Sequence, residues 1–354
     1  MEMISIAGAA FIYAAVSTLS ASSGPAQPFI EHTSTGIAVN GDIIVRNSSD
    51  DPYELIALQM DALDSQGEIV QRRELNMDGI SPGILTIPDR ALPKQSTLLI
   101  YNPFPEFGRQ LPVARLRFAL TFKKAGTEQL EQTRLDVSPI EAPRSGFELP
   151  VKDARLLVWD GHDFYSHHRR WNYLHPSLVK LGYLGNSGRY AYDFIALDSN
   201  GRRSNGDEKS NESWVSFGLP VRATSPAIVV AVRADAPDDR TYKWGSTKDP
   251  NAVFGNYVVL KHSDGTYSTF GHLMHASPTV GVGQHVAAGQ ILGRIGASGD
   301  SLFPHLHYQR TLQPGDFGEG VPVVWRHGHR VVGRGALPLP NGFIDTGDVV
   351  SASK

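Results

Sequence analysis

The segment Gly281–Arg310, GVGQHVAAGQILGRIGASGDSLFPHLHYQR, decides how the rest of the chain is read. It closes on Pro304-His305-Leu306-His307-Tyr308, two histidines two positions apart among apolar residues. On an extended strand, residues i and i+2 share a face, so His305 and His307 point together into whatever lies on that side. A neutral imidazole nitrogen is a good zinc ligand. An isolated H-x-H reads more readily as two satisfied polar residues of an ordinary strand, and the remainder of the chain has to separate the two.

Twelve of the 13 histidines lie beyond residue 160, and His32 stands alone before them. There are no cysteines, so disulfides and thiolate metal sites are excluded and any metal must rest on His, Asp or Glu. A formal charge of −3 leaves no basic footprint for nucleic acid. With 354 residues, 41% of them hydrophobic, the chain has material for two cores. Its 35 glycines and 23 prolines favour short strands and tight turns over long helices.

Residues 1–26 hold an apolar run, Ile4–Leu19, followed by small residues, which reads as a signal peptide and an exported, periplasmic or extracellular protein. The run is too short for a stable membrane span. Residues 28–142 have the pattern of an antiparallel β-sandwich-like accessory domain. Leu116, Phe118, Leu120 and Phe122 alternate with Arg117, Ala119 and Thr121, the period of a half-buried strand. The Pro- and Gly-containing stretch Ile140–Val151 marks a boundary, and residues 150–335 form a second β-rich unit. The tail 336–354 reads as a return segment lying over that unit.

Within the second unit, Gly188–Asp198 (GRYAYDFIALD) is strand-like and places Asp193 mid-strand, where a buried carboxylate needs a cationic partner. Arg189 is one such partner and a metal is another. Phe254–His262 and Tyr267–Leu273 read as a hairpin around Ser263-Asp264-Gly265, carrying His272 near its end and His262 as a solvated edge residue. His327-Gly328-His329, flanked by arginine, reads as a surface loop.

The runs GLPVRATSPAIVVAV, GNYVVLKHSDGTYSTFGHL and VGQHVAAGQILGRIGASGDSLFPHLHYQ, in that order, resemble the core of the lysostaphin/LytM-type zinc endopeptidases, bacterial hydrolases of peptidoglycan cross-links. The resemblance covers about residues 184–310. It implies an antiparallel β-roll, one zinc ion, a peptidoglycan peptide as substrate, Asp193 and His307 as metal ligands, and His272 and His305 as catalytic histidines. The chemistry suits these residue types: a catalytic zinc keeps three protein ligands and an open position, and histidines exchange protons near neutral pH.

One position departs from the family pattern. A histidine normally stands four residues before the ligand aspartate, and here that position is Arg189, which cannot ligate a metal. Some family members combine an H-R-R stretch with a following R-[YF]-A-x-D-[FW] strand, matched here by His168-Arg169-Arg170 and Arg189–Asp193. The resemblance therefore points to His168 as third ligand, with His167 next and His162 or His175 further down. The competing reading has Arg189 neutralising Asp193, leaving a metal-free relative that binds cell wall or regulates another hydrolase. A carrier-type β-roll also uses the glycine-turn pattern, but has no need of Asp193 or His272.

Overall fold

The computed structural model describes residues 18–79, 82–143, 145–242 and 249–352. Its N-terminal half is a sandwich. A three-stranded sheet (Leu19–Gly24, Asp42–Asn47, Thr97–Tyr101) and a larger one built on Tyr53–Leu63 and Arg115–Lys124 close on one core. The alternation of the last strand decides its packing: Leu116, Phe118, Leu120 and Phe122 are buried and the residues between them are not. Residues 1–17, which hold most of the apolar run Ile4–Leu19, lie outside the described residues, so the signal-peptide reading stays an expectation. Leu19–Gly24 pairs along its whole length with Asp42–Asn47 and buries Leu19, so this part of residues 1–26 is a strand of the sandwich.

The second half is organised around a ten-stranded sheet whose pairings are all antiparallel. Its centre runs Ala227–Arg233, Asn256–Lys261, Tyr267–Leu273, Leu306–Thr311, Tyr192–Leu197, Arg155–Asp160. Under it lies a core that includes Phe194, Val258, Phe270, Leu306, Tyr308 and Trp325, and the small ribbon of Pro220–Arg222 with Ile291–Arg294 adds Val221 and Leu292. Tyr192–Leu197 is buried on both faces, half-buried only at Leu197, so Asp193 is enclosed with its apolar neighbours.

Two expectations change here. The tail does not lie over the domain: Val349–Ser351 is inserted in the sheet between Arg155–Asp160 and His329–Val332, and Gly335–Pro338 extends its edge. His262 is not a solvated edge residue. It is 5% exposed, with ring nitrogens 2.8 Å from the hydroxyls of Ser225 and Ser268 and its ring edge-on to Phe147. The second H-x-H divides: His327 is exposed, and His329 opens a strand far from the first. No helix among the described residues is long and apolar enough to cross a membrane.

Candidate metal centre

Strand register delivers the site. Asp160 stands opposite Asp193, Asp193 opposite His307, and His307 opposite Gly271, one row across four strands. Directly opposed residues share a face of the sheet. Gly271 keeps space beside His307, since a Cβ there would sit 3.1 Å from Phe254 Cδ1, and the Phe254 ring packs 5.2 Å from that of His307. The next residue, His272, has φ of +56°, in the left-handed region that a side chain rarely adopts without compensation. That turn takes it out of the ladder and sets its ring 4.6 Å from His305 and 5.9 Å from His307.

Three imidazoles converge on one carboxylate oxygen. From Asp193 Oδ1, His307 Nδ1 lies at 3.0 Å, His168 Nε2 at 3.5 Å and His305 Nε2 at 3.6 Å. The far nitrogen of each ring meets an oxygen that accepts. His168 Nδ1–H donates to Gly161 O (3.1 Å), His272 Nδ1–H to Ser298 O (2.8 Å), His305 Nδ1–H to Phe303 O (2.8 Å), and His307 Nε2–H to Gln309 Oε1 (3.0 Å). A backbone carbonyl can only accept, so it fixes the tautomer and leaves a lone pair on the opposite nitrogen of a neutral ring. The inward-facing nitrogens of His168, His272 and His305 are therefore acceptors beside an anionic carboxylate, and such a gathering calls for a cation. In a tetrahedral centre with bonds near 2.0–2.1 Å, neighbouring ligand atoms are roughly 3.3 Å apart. The spacings of His307 and His168 to Asp193 bracket that value, which suits an ion of zinc's size beside Asp193 Oδ1.

Electrostatics agree with the geometry. Burial would raise Asp193, but His168, His305 and His307 outweigh it and hold the carboxyl well below its ordinary range. Burial pushes His168 down to about 4 against the pull of Asp193, which keeps the ring neutral and its lone pair available. His305 and His272 are also lowered by burial, His272 furthest, with His305 and His307 adding to the effect. His307 alone of the four moves up: burial opposes it, but the hydrogen bond to Asp193 and the charge there prevail, so a proton can hold the place between Nδ1 and Oδ1.

All five residues singled out from the sequence thus meet at one place. Asp160, 16% exposed at the side chain, was missed. It pairs with the exposed His167, and Asp160, His167, His168 and Asp193 each offer an atom within 4.8 Å of the others. Its position opposite Asp193 in the neighbouring strand was the available signal, readable only once that pairing is known. The remaining alternatives lie elsewhere: His162 Nε2 is 2.8 Å from Glu31 Oε1, and His175 caps the helix Pro176–Leu181. Arg189 does not reach Asp193. It lies in a turn just before the strand, fully buried, donating to Asp42 Oδ2 (2.7 Å) and to Glu319.

The centre lies on the wall of an open groove of about 780 Å³, with Trp159, Tyr165, Trp171, Leu302 and Phe303 among its lining. One flank is the loop 199–216: Trp214 stacks on Phe303 at 5.0 Å, and Arg203 lies over both Trp159 and Trp214.

Residues 214–316 match the family model "Peptidase family M23". This region is an M23 peptidase domain. The match contains His272, His305 and His307, whereas Asp193 and His168 precede it. The chain is 30% identical over 156 residues to lysostaphin of Staphylococcus staphylolyticus, covering 43% of this chain and 28% of that protein. It is 34% identical over 122 residues to glycyl-glycine endopeptidase ALE-1 of Staphylococcus capitis, covering 34% and 28%. Among solved structures, the catalytic domain of lysostaphin from Staphylococcus simulans is 29% identical, covering 36% of this chain and 73% of that one at a TM-score of 0.23. The chain spans little more than a quarter of the length of these two curated relatives. Arg189 stands at the position where the resemblance expects a histidine, four residues ahead of Asp193, and is held by Asp42 and Glu319.

Proposed function

We propose that the protein is a zinc endopeptidase acting outside the cytoplasmic membrane on the peptide cross-links of peptidoglycan. Asp193, His307 and His168 hold the metal, and His272 and His305 handle protons. The observation that carries this reading is the convergence of His168, His305 and His307 on Asp193 Oδ1, with the tautomers of His168 and His305 fixed by backbone carbonyls.

When bound, zinc supplies a Lewis acid that polarises the scissile carbonyl and lowers the pKa of water. The chain supplies the rest. His272 presents its unprotonated Nε2 beside His305, braced by Ser298, whose hydroxyl also accepts from the Asn256 amide and donates to Leu273 O. Both rings are neutral at pH 7, so either can accept a proton at Nε2 and return it to the leaving amine. The aromatic groove walls exclude water along an extended peptide, and burial of the reacting groups strengthens each charge interaction. Relatives named for lysostaphin and for glycyl-glycine cleavage support a substrate with small residues at the cut bond.

The rival reading, a metal-free relative that binds or regulates, required Arg189 to neutralise Asp193. With Arg189 committed to Asp42 and Glu319, that premise loses its support. Purified protein should carry one zinc per chain and release new amino groups from purified cell walls. Asp193→Ala and His307→Ala should each remove metal and activity together. A chain isolated without chelators that is metal-free and cannot be loaded would overturn the proposal.

A further inference from the structure

His168 sits in a stretch, Gly161–His175, that contains no strand or helix of its own, so no backbone ladder fixes its position. Its anchors come from the other half of the chain. Asp42, at the head of the strand Asp42–Asn47, accepts from Arg169 Nη1 (2.5 Å), from Arg189 Nη1 (2.7 Å) and from the Tyr173 hydroxyl (3.2 Å). Arg169 Nη2 donates to Gly41 O (2.9 Å). Both guanidinium groups and the Asp42 carboxylate are wholly buried, and Glu319 completes a cluster of two cations and two anions.

The second anchor is Glu31, which holds His162 at 2.8 Å inside the boundary between the halves. His162 follows Gly161, whose carbonyl fixes the His168 tautomer. Between the anchors, the His168 backbone N–H donates to Ser166 Oγ (3.1 Å), and Asn186 Nδ2 donates to the carbonyls of His168 (3.0 Å) and Arg169 (3.3 Å). A ligand on irregular backbone is only as well placed as the groups that support it.

We propose that the N-terminal β-domain is a built-in part of the metal site, with Asp42 as a positioning residue that acts on the metal through Arg169 and His168, and Glu31 as a second one acting through His162 and Gly161. This rests on the reading of His168 as the third ligand. The accessory domain then has a task at the centre itself, apart from any role in reaching the cell wall. An irregular segment that brings a distant histidine to the sheet replaces the missing ligand next to Asp193, and the price is dependence on a neighbouring domain.

The test uses full-length protein and two readouts besides activity: zinc affinity by competition with a chromophoric chelator, and the visible absorption of the cobalt-loaded protein, which reports ligand geometry. Asp42→Asn should weaken zinc binding by about 10–100-fold, the range seen when a supporting partner of a ligand is lost, and alter the cobalt spectrum. Glu31→Gln, which keeps size and an acceptor, should give a smaller loss in the same direction and serves if Asp42→Asn does not fold. Asp61→Asn is the control: Asp61 is buried in the same domain and paired to Arg72 at 2.6 and 2.8 Å, but has no link to His168. It should leave both readouts unchanged. Equal losses in Asp61→Asn, or wild-type affinity and spectrum in the folded Asp42 and Glu31 variants, overturn the inference alone. A wild-type chain that binds no zinc overturns it together with the proposed function.

Discussion

His168→Ala against His167→Ala separates two adjacent histidines that the sequence leaves in competition. Zinc sites with four protein ligands bind with about 10–16 kcal/mol, so each ligand carries roughly 2.5–4 kcal/mol, or on the order of 10²–10³-fold in dissociation constant. His168 is 6% exposed and its Nε2 faces Asp193. Its removal should cost metal affinity in that range. The fold should tolerate the change: Gly161 O keeps the Ser166 hydroxyl as a donor at 2.7 Å, and Asn186 still grips the backbone. The void left by a buried imidazole costs roughly 2–3 kcal/mol, within the 5–15 kcal/mol stability usual for a domain. His167 is 71% exposed at the side chain and pairs with Asp160 at the rim, so its alanine variant should change affinity by less than about 10-fold. Chelator competition at fixed pH measures both, with thermal melts in chelator as the check on folding. Equal losses, or a larger loss from His167→Ala, would refute the assignment.

Two further outcomes follow from the same geometry. His272 faces His305 and makes no contact with Asp193 of the kind His168 and His307 make, so His272→Ala should keep one zinc per chain and a near-normal KM while kcat falls about 10²–10⁴-fold; loss of zinc would show that the residue is a ligand instead. Buried His262 is pushed down to about 4 by desolvation and by Arg310. Its folded value lies below its unfolded one, so its contribution is complete above pH 6.5 and is lost as pH falls from 6.5 toward 4, up to about 3 kcal/mol. Denaturant titrations of metal-stripped protein should therefore show a shallower loss of stability over that window in His262→Gln, and parallel profiles would rule the residue out as the cause.

The parts of the fold legible in sequence are those encoded by local period. Alternation named the buried side of Arg115–Lys124, and the i, i+2 spacing put His305 and His307 on one side. Asp193 was legible because a mid-strand carboxylate is costly without a cation. Period says which face a residue takes and nothing about what meets it there. Sequence offers Arg189 only its nearest anion, four residues away, as one candidate partner, whereas its partners stand 147 and 130 residues off in sequence. His262 was taken for an edge residue because it adjoins a turn, yet Ser225, Ser268 and Phe147 enclose it from three other elements. The strand Val349–Ser351 was hidden because a three-residue strand is too short to show a period.

The two buried arginines also explain how Asp193 stays free for the histidines. A guanidinium so close in sequence would be the natural counter-ion for a buried carboxylate, and taking that role would fill the position where the imidazole lone pairs converge. Asp42 and Glu319 together offer the buried Arg189 two anions, and a buried charge stays where its partners are, since breaking such a pair costs about 3–5 kcal/mol. Arg169 takes the remaining oxygen of Asp42 and carries His168 with it. One aspartate of the N-terminal domain thus turns an arginine away from Asp193 and draws a histidine toward it. The arginine at the position where the resemblance expects a histidine and the segment that carries His168 are thus held by the same carboxylate.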